Sequence, residues 1–191
     1  TRLDPVWAWA VDPTPYVGAL RFARLPRTQA RGYASSVDWV TSQGHRVRCR
    51  FYDKAIEAKH DVELPARLER QCRPRREVVR LPGGDRLGCD VRSLEASSVQ
   101  GVLRGALRDL GLDKPIPSVL GLRGQLVDRH GRRRGMNLFR ILLEARAFGG
   151  WPGDVKKPTL ARWQRLLSQA DIRAVSLDGE LPALTIDRTC L

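Results

Sequence analysis

The stretch Arg48-Cys49-Arg50-Phe51-Tyr52-Asp53-Lys54-Ala55-Ile56-Glu57 gathers groups that suit chemistry on a phosphodiester. A phenol, two carboxylates and an ammonium (Tyr52, Asp53, Glu57 and Lys54) follow directly on a run of guanidinium groups. In an extended chain successive side chains point to opposite faces. Val47, Cys49 and Phe51 therefore share one face, and Arg46, Arg48, Arg50 and Tyr52 the other. Guanidinium groups on a sheet suit a phosphate backbone, and the carboxylates that follow suit a divalent cation. Each residue also has a plainer reading. Tyr52 can be a structural tyrosine on a half-buried strand. Asp53 and Lys54 can form a turn with a surface ion pair. Glu57 can be a solvated helix residue.

Those residues sit in a strongly basic chain. Its 191 residues carry a formal net charge of +13, and of 34 basic residues only Lys54, Lys59, Lys114, Lys156 and Lys157 are lysine. Arginine binds phosphate and guanine edges in a bidentate fork that lysine lacks. This balance favours a nucleic-acid partner over a small neutral substrate. The competing explanation is a GC-rich genome, which raises arginine in every protein it encodes. The apolar fraction, 42%, is that of a folded chain, and the length suffices for one large domain or two small ones. Cys49, Cys72, Cys89 and Cys190 form no C-x-x-C pair, which argues for reduced thiols in a cytoplasmic protein rather than a zinc site. His45, His60 and His130 stand alone. No apolar run spans a membrane and no signal peptide is visible. The chain begins at Thr1 and its single methionine is Met136, so further sequence before Thr1 is expected.

The elements that must position these residues divide into three parts. Residues 1–91 read as β-rich, the nicking or DNA-binding part. Strand signals lie at Val6–Val11, Val37–Val40, Arg46–Tyr52 and Glu77–Leu81, and a helix or long connection at Ala55–Gln71. Residues 92–136 read as a helix capped by Ser98 and closed by Gly111, then a basic connector ending in the loop Arg129–Gly135. That loop contains Arg132, Arg133 and Arg134. Residues 137–191 read as helical: Asn137 caps a helix over Leu138–Phe148, and Thr159 caps another that runs to Ala170. Asp178-Gly179 then joins two apolar runs, a hairpin signal. Helix, turn, helix, hairpin is the order of a winged-helix module. The last helix would present Arg162 and Arg165 to DNA, with Lys156 and Lys157 at the phosphates; the alternative is a helical subdomain closing the core. The fold class expected is α+β: a mixed or antiparallel sheet bearing an acidic cluster, followed by a winged-helix-like C-terminal part. Trp39 and Trp151 are the tryptophans singled out for base stacking. Leu160, Trp163, Leu166 and Leu167 are expected to face inward.

Three segments resemble the replication initiators that include the filamentous-phage gene II and gene X proteins and the Rep_trans plasmid initiators. Arg2-Leu3-Asp4 is similar to that group's Arg-hydrophobic-Asp strand. Tyr52-Asp53-Lys54-Ala55-Ile56-Glu57 is similar to its Tyr-Asp-Lys-x-x-Glu segment, and Arg76-Glu77-Val78-Val79-Arg80-Leu81 to its Arg-Glu strand. They occur in the group's order. The stretch Pro158–Ile172 is similar to the region before Gly-Ile-Asp near the end of phage initiators and reads Ala170-Asp171-Ile172 here.

The resemblance implies rolling-circle initiation: origin binding, nicking and joining by tyrosine transesterification, and a divalent metal, Mg²⁺ or Mn²⁺. Asp4, Glu57 and Glu77 are the carboxylates assigned to the metal, which would polarise the scissile phosphate. Lys54 is assigned to the phosphate or the developing oxyanion. The plasmid initiators' tyrosine after the Arg-x-Glu strand has no counterpart here. The chain's tyrosines are Tyr16, Tyr33 and Tyr52, and Tyr52 is the best placed as nucleophile. The partners implied are origin DNA, single-stranded or in a hairpin, and host replication proteins, with no membrane. The alternatives are a non-catalytic DNA-binding protein (a repressor or a decayed initiator) and an RNA-binding accessory protein.

Overall fold

The computed structural model describes residues 4–23, 25, 28–41, 47–71, 96–148, 151 and 155–186. The strand expected at Glu77–Leu81 lies outside them, as do Arg46 and Glu77 themselves.

The described chain is α+β. Its sheet is antiparallel throughout, with strands β1 (Val6–Trp9), β2 (Thr28–Gly32), β3 (Ser36–Thr41), β4 (Val47–Asp53) and β5 (Ala66–Arg70) in the order β1-β5-β4-β3-β2. The helices are α1 (Pro13–Leu20), α2 (Lys54–Ala58), α3 (Ala96–Leu110), α4 (Leu122–His130), α5 (Arg132–Ala147) and α6 (Lys157–Gln169).

Period-2 alternation decides which face of the sheet is core. Val37 and Trp39 of β3, Cys49 and Phe51 of β4, and Ala66 and Leu68 of β5 are fully buried. They pack against Tyr16, Val17 and Leu20 of α1 and Leu103, Ala106, Leu107 and Leu110 of α3. Trp39 is a core residue, its indole Nε1 donating to the Ala23 carbonyl, and offers no surface to a base. The opposite face carries charge in register. Arg31 pairs with Asp38, Asp38 with Arg50 and Arg50 with Glu69 across β2, β3, β4 and β5, so the sign alternates from strand to strand. Opposite charges on directly facing positions stabilise a sheet.

β4 departs from strict alternation at one point. Trp39 pairs with Cys49 but Val40 pairs with Val47, which leaves Arg48 as an extra residue on β4. Such a bulge bends the strand and re-aims a side chain. The shared face expected for the arginines therefore holds for Arg50 and Tyr52 and is interrupted at Arg48.

Around a second core, Leu122 and Leu126 of α4, Leu138, Leu142 and Ala145 of α5, and Leu167 of α6 meet Phe22. Here several boundaries differ from those expected. Arg129–Gly135 is not a loop. α4 ends at His130, Gly131 turns the chain alone at φ 75°, and α5 begins at Arg132. Asn137 lies exposed inside α5 rather than capping it. Gly135 is buried where α5 crosses α4: a Cβ there would stand 2.5 Å from the Leu126 carbonyl oxygen. α6 begins two residues before Thr159, after the uncapped Lys156. The chain around Asp178-Gly179 does not close a hairpin ladder. Ser176 bridges to Ser118, and Leu181 to Ile116, so the two apolar runs pair with the Ile116–Ser118 segment instead of each other.

Candidate nucleic-acid interface

The short helix α2 follows β4 because Asp53 caps it, its carboxylate accepting from the amides of Ala55 (2.8 Å) and Ile56 (3.4 Å). It ends at Lys59, in the left-handed region at φ 60°. On α2 the Lys54 ammonium donates to the Glu57 carboxylate at 2.6 Å, an exposed pair one helical turn apart. Both side chains assigned to chemistry on this helix are thus engaged with each other.

Tyr52 is buried, with 8% of its surface exposed. The Arg50 guanidinium lies 5.6 Å from the centre of its ring, and the charge of Arg67 acts on the phenol. Its phenol pKa is pushed upward, chiefly by burial and then by the charges of Glu57 and Glu69. Arg50 in turn grips Asp38 in a bidentate pair at 2.9 and 3.2 Å, which raises the guanidinium pKa further. Asp38 is itself 4% exposed. On this sheet face Arg50 and Asp38 are therefore engaged with each other.

Of the carboxylates assigned to a metal, Asp4 and Glu57 are among the described residues. Asp4 precedes β1, and β1 runs from Val6 to Trp9, whose neighbours across the sheet are Ala66 and then Asp53. Glu57 lies on α2, which follows Asp53, so Asp4 and Glu57 are carried by different segments of the chain. Metal ligands stand within about 2.0–2.6 Å of their ion. Among the described residues, no group of three or more histidine, cysteine or acidic side chains is placed to hold a metal.

The helical half has the opposite character. A groove of about 1430 Å³ is bordered by Arg123, Arg132, Arg133, Arg134, Arg140 and Arg162. A smaller one of about 340 Å³ between α5 and α6 adds Arg165 and shares Arg134, Asn137 and Arg162 with it. No acidic residue borders either groove. Among the described residues, the side chains of these seven arginines make no hydrogen bond or ion pair with the rest of the protein.

Helix electrostatics sharpen the point. The first turn of α5 holds Arg132, Arg133 and Arg134 and no acid. The N-terminus of a helix carries a partial positive charge and favours anions, so three cations there are locally unfavourable. Neither α5 nor α6 has a side chain capping its first amides, and the N-cap of α6 is the exposed Lys156. Uncapped amides beside unpaired arginines form a surface that a phosphate satisfies and water only partly does. Arg133, Asn137 and Arg140 recur at helical spacing on the side of α5 away from Leu138 and Leu142. Arg162 and Arg165 project outward from α6.

Sequence reasoning therefore placed Arg132, Arg133, Arg134, Arg162 and Arg165 on surfaces that the fold brings together, though it read the first three as a loop. It missed Arg123 and Arg140, which join them only once α4 and α5 are known to be helices. Trp163, expected to face inward, does pack half-buried against the second core, and it also borders the smaller groove. Trp151, singled out for stacking, packs against it with ring centres 5.7 Å apart. The side chain of Lys157 lies outside the described residues. No family model, no curated protein and no solved structure matches this chain.

Proposed function

We propose that this protein binds DNA, gripping the phosphate backbone in the groove between α4, α5 and α6. The observation that carries the reading is the set of seven arginines bordering two adjoining grooves whose linings hold no acidic residue. Phosphate contacts of this kind position a protein on nucleic acid and dominate its affinity. The uncapped N-termini of α5 and α6 support the same assignment. In this reading α6 presents Arg162 and Arg165 as the winged-helix order suggested, and the segment around Asp178-Gly179 braces the helices instead of forming a wing.

Of the functions considered, this is the DNA-binding protein, a repressor or decayed initiator, rather than the nicking enzyme. Nicking and joining by Tyr52 is the second reading, favoured by the two arginines that flank the phenol. Burial weighs against it, because it disfavours the phenolate that attacks. Incubation with supercoiled origin plasmid and Mn²⁺, followed by mass spectrometry of DNA-linked peptide, separates the two. An adduct at Tyr52 establishes the nicking enzyme; binding with no adduct leaves the DNA-binding protein. Competition between a DNA hairpin and an RNA hairpin of equal charge tests the partner, and a preference for RNA overturns the assignment to DNA.

A further inference from the structure

The α5–α6 groove contains one feature that a phosphate grip does not require. Trp163 borders it beside Arg134, Asn137, Ile141, Arg162 and Arg165. We propose that this groove is a subsite for an unpaired nucleobase, which stacks on Trp163 while the arginines around it hold the adjoining phosphates. The proposal rests on the DNA-binding reading above and adds the form of DNA that the groove accepts.

Three observations converge on it. The Trp163 indole is held from behind: Trp151 packs on it at 5.7 Å with the planes 31° apart, and Trp151 meets the buried Phe22 edge-on at 5.0 Å. An aromatic surface already fixed by its neighbours loses little freedom when a base lands on it. The groove volume, about 340 Å³, lies at the small end of ligand-sized cavities and suits one base rather than a duplex. Asn137 and Gln169 border the same space, and each amide offers both a donor and an acceptor to a base edge. Inside a duplex both faces of a base are covered by its neighbours. Only a base that has left the stack can lie on Trp163.

The test compares two strands of equal length and charge, an oligothymidylate and the same strand with every base replaced by an abasic sugar. The full chain is expected to bind the thymidylate roughly tenfold more tightly. Trp163→Leu is expected to remove that preference, so that the ratio of its affinities for the two strands falls to about one. Trp163→Phe, which keeps a ring against Trp151, is expected to retain part of it. Tight and equal binding of both strands by the unmodified protein overturns the stacking subsite and leaves the phosphate grip standing. Failure to bind either strand overturns the subsite, and failure to bind a DNA hairpin as well overturns the phosphate grip.

Discussion

Gly135 of α5 lies against the backbone of Leu126 in α4. A Cβ at position 135 would approach the Leu126 oxygen to 2.5 Å and the Val127 Cα to 2.6 Å. The obstructing atoms are backbone, which cannot rotate aside. This close approach sets how tightly α4 and α5 cross, and hence the wall of the arginine groove. Gly135→Ala is expected to destabilise the protein by about 1–3 kcal/mol, even though alanine is the better helix former. Gly101→Ala, at an exposed position of α3 with open space around it, is expected to stabilise by about 0.5–1 kcal/mol. Urea unfolding of the two variants checks the contrast, and equal effects contradict it.

The Asp38–Arg50 pair is asymmetric, and the asymmetry is measurable. The Asp38 side chain is 6% exposed and that of Arg50 is 37% exposed. Arg50→Ala leaves a buried carboxylate without its bidentate partner, at a cost of about 3 kcal/mol. Asp38→Ala leaves a guanidinium that can turn to water, at a cost of about 1–2 kcal/mol. Chemical denaturation of both variants and of the double variant gives the order directly. A larger destabilisation by Asp38→Ala contradicts the account.

Stability is expected to fall at alkaline pH. Burial pushes the Cys49 thiol from its ordinary value of 9.0 up to about 12, and it raises the phenols of Tyr16 and Tyr52 above 10.0. In each case the folded chain holds its proton to a higher pH than the unfolded chain does. The contribution is complete below the unfolded value and is lost as pH rises from it toward the folded value. For Cys49 that window runs from 9.0 to about 12, with a slope approaching about 1.4 kcal/mol per pH unit. Cys49→Ala removes the thiol's share, so the decline between about pH 9 and pH 11 is expected to be shallower. Identical slopes in the two proteins contradict the assignment.

Some of this was legible in the residues and some was not, for physical reasons. β4 could be read because Cys49 and Phe51 alternate with Arg50 and Tyr52 and only one face is buried. β2, Thr28–Gly32, is an edge strand with little to bury and so carries no apolar pattern. β5 hides its pattern in Ala66 and Leu68, between charged residues and just after Pro65. α1 was not read from the residues, and it carries Pro13 and Pro15 in its first turn, where proline is tolerated because its missing N–H has no partner to lose. The arginine run at 132–134 looked like a loop because local electrostatics oppose a helix starting there. That conflict lies at the groove proposed to bind DNA, and a phosphate there would resolve it. The Asp178-Gly179 hairpin failed because the flanking runs found partners in Ile116 and Ser118. A pattern along the chain cannot show such a partner.

The most direct test of the central claim is the salt dependence of binding to a DNA hairpin, measured for the unmodified protein, for Arg134→Gln/Arg162→Gln, and for Arg31→Gln on the exposed edge strand. Removing one arginine from a phosphate lowers the slope of log affinity against log salt by about 0.7–0.9. The slope of the groove variant is expected to fall by roughly 1.4–1.8 and that of the edge-strand variant to stay the same. An unchanged slope in the groove variant, or an equal fall in both, would contradict DNA binding through the α4–α5–α6 groove.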